Sequence, residues 1–137
     1  MPNFPNQQRV QYFRSDGLPD ADMVDQKAEE QARKLGQVAT SQLRRFYEDV
    51  TVLKRRIDQA ANEGQPREKV FERFRADFKM LRAKAYYAHG RNKRVFPVEF
   101  LEFFEQHVLS VRTVQEFDAF CQHFQAVVAF HKFYART

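Results

Sequence analysis

Residues 67–89 read REKVFERFRADFKMLRAKAYYAH. Phe71, Phe74, Phe78, Leu81, Ala85 and Ala88 recur every three or four positions, so one side of a helix is apolar along its whole length. Pro66 stands before this run and Gly90 after it, the punctuation of a helix from Arg67 to His89. A helix with such a stripe must lie against others to keep its Phe side from water.

Upstream, residues 40–63 repeat the pattern. Leu43, Phe46, Tyr47, Val50, Leu53, Ile57 and Ala61 fall on one stripe, with Thr40 placed to cap the start and Gly64 to stop the end. Further back, Asp20 to Leu35 reads as a short helix closed by Gly36. Its carboxylates Asp22, Asp25, Glu29 and Glu30 lie toward the end where the helix dipole favours them. Residues 1–19 hold Pro2, Pro5, Gly17, Pro19 and an Asn/Gln cluster, and read as a flexible N-terminal arm.

Downstream, Arg91-Asn92-Lys93-Arg94 is a basic loop. Pro97 opens a fourth helix over about 97–110, with Phe100, Phe103, Phe104, His107 and Val108 on its apolar side. Thr113 and Glu116 form a capping box for a fifth helix that reaches about Ala135. No strand-like alternation and no repeat is found. The expected fold is all-α: a single bundle of about five helices over residues 20–137, behind an arm of residues 1–19.

A chain of 137 residues fits one domain that can bury a core without covalent staples. Its single cysteine, Cys121, permits no internal disulfide and suits a reducing interior. The opening MPNFPNQQRV lacks the apolar run of a signal peptide, and no segment approaches the ~20 apolar residues of a membrane helix. The expected location is the cytoplasm, without a membrane partner.

Charge is unevenly spread. Residues 1–38 carry five Lys/Arg against six Asp/Glu, residues 39–95 fifteen against seven, and residues 96–137 three against five. The basic excess of +8 thus sits in the middle of the chain, the pattern of a surface that faces a polyanion. On the third helix Arg75, Lys79, Arg82 and Tyr86 are spaced by four, three and four, on a flank roughly 90° from the Phe stripe. The row points toward Arg91, Lys93 and Arg94. Cations along a helix with an aromatic at the end suit a nucleic-acid strand: charges meet phosphates, and Tyr86 serves as the stacking platform. On the second helix Arg44 and Arg55 add charge to one flank, Arg45 and Arg56 to the other.

Catalytic chemistry finds no foothold. Cys121 and His123 point to opposite sides of a helix, and His123 and His131 are more than two turns apart, so no metal spacing is met. His131 falls on the apolar side of the fifth helix, where a core histidine with a hydrogen-bond partner is expected. Glu99, Glu102 and Glu105 spread around the fourth helix as an ordinary solvated face. With no acid–base pair, phosphate loop or metal set, neither enzymatic activity nor a cofactor is expected. The fifth helix is apolar on two sides. Its main stripe is Phe117, Phe120, Phe124, Val127, Val128 and Tyr134, while Phe130 and Phe133 leave on another side as candidate partner contacts.

Three segments carry a resemblance. Thr40-Ser41-Gln42-Leu43-Arg44-Arg45-Phe46-Tyr47, Leu81-Arg82-Ala83-Lys84-Ala85-Tyr86-Tyr87-Ala88-His89-Gly90-Arg91 and Phe124-Gln125-Ala126-Val127-Val128-Ala129-Phe130-His131-Lys132-Phe133-Tyr134 are similar, in that order, to the small subunit of type III-A CRISPR (Csm) complexes. Gln125 stands where that family has Glu, and Phe130 where it more often has Tyr. The resemblance implies a non-catalytic helical subunit that stacks in several copies beside the repeating backbone subunit and under the large polymerase-like subunit. Together these hold guide RNA paired with target RNA. Arg44, Arg82, Lys84 and Arg91 match motif positions, whereas Arg75 and Lys79 rest on the stripe alone. Three other readings compete. A free-standing helix-turn-helix regulator needs a short recognition helix that this chain lacks. A metal-dependent nuclease needs a ligand cluster. The small subunit of the related type III-B complex is also helical and basic.

Overall fold

The computed structural model describes residues 9–135. After a 3-10 turn at Ala21–Val24 come five helices: α1 Gln26–Lys34, α2 Thr40–Asn62, α3 Arg67–Arg91, α4 Val98–Ser110 and α5 Val114–Tyr134. The expected all-α bundle is what the described residues form. α5 packs on α1 and α2, α2 packs on α3, and α3 packs on α4.

The stripes bury as their spacing requires. Leu43, Val50, Leu53 and Ile57 of α2, Phe71, Phe78, Leu81 and Ala85 of α3, and Phe100, Phe103, Phe104, His107 and Val108 of α4 are all inside. So are Phe117, Phe120, Phe124 and Val127 of α5. Phenylalanine dominates where α2, α4 and α5 meet. Phe124 lies 5.4 Å from Tyr47, 5.3 Å from Phe103, 5.7 Å from Phe104 and 5.7 Å from Phe120, ring centre to ring centre. These tilted and edge-on arrangements are those that aromatic quadrupoles favour.

Several boundaries differ from expectation. The helix expected over 20–35 is two pieces, because Asp25 adopts φ −125° and ψ −108° between the 3-10 turn and α1. Asp20 caps the turn by accepting from the Asp22 amide at 3.0 Å. Thr40 is the first helical residue and not the cap; Ala39 holds that place without a side-chain bond. Gly64 does end the turn after α2, with φ +98°, a conformation that L side chains rarely adopt. Gly90 stops nothing: α3 runs through it to Arg91 and ends at Asn92. The Asn92 Oδ1 accepts from the Arg94 and Val95 amides at 3.1 Å each. At α5 the capping box of Thr113 and Glu116 forms in full.

The largest correction concerns residues 9–19, expected to be loose. (Residues 1–8 of that arm lie outside the described residues.) Val10 and Tyr12 are buried. Gly17, with φ +86°, sits in a turn closed by a lone antiparallel bridge between Phe13 and Pro19. The Val10 amide donates to Ser110 Oγ at 2.8 Å, and Arg9 reaches the Ser110 carbonyl and Glu116. The Tyr12 hydroxyl meets His107 Nδ1 at 2.7 Å. Three buried histidines thereby fasten the first part of the chain to the last helices. His107 holds Tyr12, His123 Nδ1–H donates to the Met23 carbonyl, and His131 Nε2–H donates to the Leu35 carbonyl at 2.9 Å. The hydrogen-bonded core role expected for His131 is what it has.

Candidate nucleic-acid interface

Helix α3 presents two polar flanks, one over α4 and one over α2. The flank over α4 carries the row expected to be free: Arg75, Lys79, Arg82 and Tyr86. It is largely engaged within the protein. Arg82 Nε donates to Glu105 Oε1 at 2.5 Å, and the Tyr86 hydroxyl donates to Glu105 Oε2 at 2.5 Å. The Arg82 guanidinium also lies over the Tyr86 ring, 5.0 Å from its centre. Glu105 is 5% exposed, so it belongs to no solvated face. It needs both donors because a buried carboxylate without partners is costly. The bond to Glu105 raises the pKa of Arg82, and burial followed by its own bond to Glu105 raises that of Tyr86. Arg75 donates to Glu72 at 3.0 Å. Among the described residues Lys79 forms no ion pair, and of the row it is the exposed, unpaired cation. Tyr86 is therefore held by its hydroxyl inside the bundle and is half-buried, a poor platform for an incoming base.

The other flank is open. α2 and α3 run side by side and leave a groove of about 720 Å³ between them. Met80, Lys84, Tyr87 and Arg91, spaced by four, three and four, line its α3 wall; Gln42, Arg45, Phe46 and Asp49 line its α2 wall. Phe96 and Ala88 contribute apolar floor. Tyr87 is 70% exposed and Met80 51%. Lys84 reaches across the groove to Asp49 at 3.3 Å. Arg45 and Arg91 are exposed and form no ion pair among the described residues. At the groove's end the turn after α3 presents Lys93 and Arg94, also exposed. Lys84, Arg91, Lys93 and Arg94 are thus brought together, with Arg45 facing them. Arg44 and Arg55 stand apart, beside Val128 of α5.

Tyr87 was not among the residues expected to bind, and Arg45 was expected only as added charge on a flank of the second helix. The α3 spacing 80-84-87-91 carries the signal for Tyr87, but it mixes an apolar residue with cations and so is not a charge stripe. No group of three or more His, Cys, Asp or Glu able to hold a metal ion occurs among the described residues. Cys121 is buried, and burial with the nearby Asp118 pushes its thiol up to about 12. No helix is long and apolar enough to cross a membrane among the described residues.

The two phenylalanines expected to leave the bundle part company. Phe130 is half-buried against the core, whereas Phe133 is 83% exposed. Changing Phe133 to Ser should leave the melting temperature within a degree or two, since surface substitutions stay within about 0.5 kcal/mol. If Phe133 is a partner contact, incorporation into an assembly should fall at the same time. A marked loss of stability would return it to the fold.

Against known families, residues 19–137 match the model described as Csm2 Type III-A. No curated protein and no solved structure matches the chain.

Proposed function

The chain belongs to the Csm2 Type III-A family, small subunits of type III-A CRISPR Csm complexes, and from that membership we propose that it holds RNA in the complex without cutting it. In this reading guide RNA and target RNA lie along the open flank of α3, between the subunit and its neighbours. Those neighbours are the repeating backbone subunit, the large polymerase-like subunit and further copies of the chain, in the cytoplasm.

The observation that carries the reading is the gathering of exposed cations at the C-terminal end of α3: Lys84, Arg91, Lys93 and Arg94, with Arg45 opposite. Lys84 and Arg91 lie on one helix that rises ~1.5 Å per residue, so they are ~10 Å apart, on the order of two phosphate spacings, and Lys93 and Arg94 follow in the turn. Lys79, Arg44 and Arg55 extend the field to neighbouring faces. Arg75 and Arg82 contribute less, because Glu72 and the buried Glu105 hold them at 3.0 and 2.5 Å, whereas Lys84 shares only a longer, exposed contact of 3.3 Å with Asp49. Backbone contacts of this kind read charge and not sequence.

Changing Lys84, Arg91, Lys93 and Arg94 together to Ala should weaken RNA binding by the assembled complex about tenfold or more. The dependence of log affinity on log salt should become shallower by up to ~0.7 per lost phosphate contact. Helicity and melting temperature should not move. RNA recovered from the titration, with Mg²⁺ present, should be intact. Unchanged affinity and salt slope would remove this surface from the function. Cleavage that stays with the protein through repeated purification would defeat the non-catalytic reading.

A further inference from the structure

A purely electrostatic RNA surface has no use for an apolar trough, yet the trough between α2 and α3 lies inside the cationic field. Its floor and one wall are Phe46, Phe96, Ala88, Met80 and the ring of Tyr87. Tyr87 and Met80 are among the most exposed large apolar side chains of the chain. Three cations, Arg45, Lys84 and Arg91, stand around them against one carboxylate, Asp49, so the rim favours an anion while the floor favours a flat apolar group. Gln42 adds a side-chain amide to the α2 wall, with both a donor and an acceptor.

We propose that this groove captures one unstacked nucleobase of a single-stranded RNA, the base lying on Tyr87 and Met80 and its flanking phosphates on Lys84, Arg91 and Arg45. The inference rests on the RNA-holding function above and adds a site to it. A base offers a π-face to the Tyr87 ring, an edge to Gln42 and a phosphate on either side, which matches floor, wall and rim together. A base in a continuous duplex is stacked on both faces and does not reach the trough, so the site prefers unpaired nucleotides. An acidic helix from a protein partner meets the rim charge too, but the narrow combination of one exposed ring, the amides of Gln42 and Asn92 and flanking cations fits a nucleotide better. Tyr86 next to it is excluded from this role by its bond to Glu105.

The test uses the full-length chain and three fluorescent RNAs of twelve nucleotides: a single strand, the same backbone with all bases removed, and a blunt duplex. The single strand should bind at least several-fold more tightly than the abasic strand. Tyr87→Ala should abolish that difference while leaving affinity for the abasic strand unchanged, and Tyr87→Phe should keep it. Because the chain has no Trp and five Tyr, quenching of tyrosine emission by the single strand should largely vanish in Tyr87→Ala. Equal binding of single and abasic strands, or a Tyr87→Ala variant that binds as the parent does, overturns the base site. If Lys84→Ala with Arg91→Ala still weakens all three RNAs, the RNA surface itself survives that failure. If neither change affects any RNA, or no RNA binds, both readings fall. Unaltered RNA behaviour of Tyr87→Ala together with poor incorporation into the complex assigns the groove to a protein partner and overturns the proposal.

Discussion

Phe124→Ala should be the most damaging single substitution of those considered, costing about 3–5 kcal/mol. The residue is fully buried and its ring touches side chains of α2, α4 and α5 at once. Truncation removes apolar contact with three helices and leaves a void that none of them can fill without moving. A domain of this size has on the order of 5–15 kcal/mol of stability in total, so the variant should lose a large part of it in urea titration. A cost below about 1 kcal/mol would mean that the aromatic cluster is loosely packed. Phe133→Ser, on the same helix but exposed, is the internal control.

Acidification should act on the histidines beside this cluster, which share Phe103 and Phe120 with Phe124. His107 and His123 are buried with their rings 4.9 Å apart. Burial, and then the neighbouring His123, hold His107 well below the usual imidazole value of 6.5. Burial lowers His123 as well, against the opposing hydrogen bond to Met23. Both are therefore neutral when folded, and the unfolded chain takes up protons first as the pH falls. Their stabilising contribution is complete above about pH 6.5 and is lost as the pH drops toward their folded values. The slope is up to ~1.4 kcal/mol per pH unit for each group. Unfolding titrations at pH 7, 6 and 5 should show this decline, and His107→Asn should flatten it. A stability that is flat from pH 7 to pH 5 would contradict the buried neutral pair.

The helices themselves were legible because each stripe is a local pattern: Phe71 to Ala85 and Phe100 to Val108 bury as a 3.6-residue period demands. What escaped depends on partners distant in the chain. Nothing near Asp25 marks the break between the 3-10 turn and α1, because the freed Met23 carbonyl is answered by His123, a hundred positions on. Tyr12 is buried by His107, 95 positions away, so its surroundings of Pro, Gly and polar residues read as a loose arm. Arg82 and Tyr86 lie on a flank whose spacing is that of a free row. Only the turn between α3 and α4 brings Glu105 against them, and opposite charges 23 residues apart are no signal by themselves. Conversely, Gly90 looked like a stop from its type, yet at an exposed position the helix tolerates it. The regional charge of residues 39–95 did point to the half of the molecule that holds the groove, though not to Tyr87.

The histidine fastenings carry a consequence for how the chain is made. Residues 9–35 leave the ribosome before α4 and α5, yet Tyr12, Met23, Leu35 and Glu29 find their partners there, between 95 and 105 residues later. This segment thus waits without those partners while α2 and α3 are made and can already pair as neighbours. Closing so long a loop is slow, and it is complete only once both α4 and α5 have emerged. A truncation that removes α5 therefore strips Met23, Leu35 and Glu29 of their partners and leaves residues 9–12 held by α4 alone.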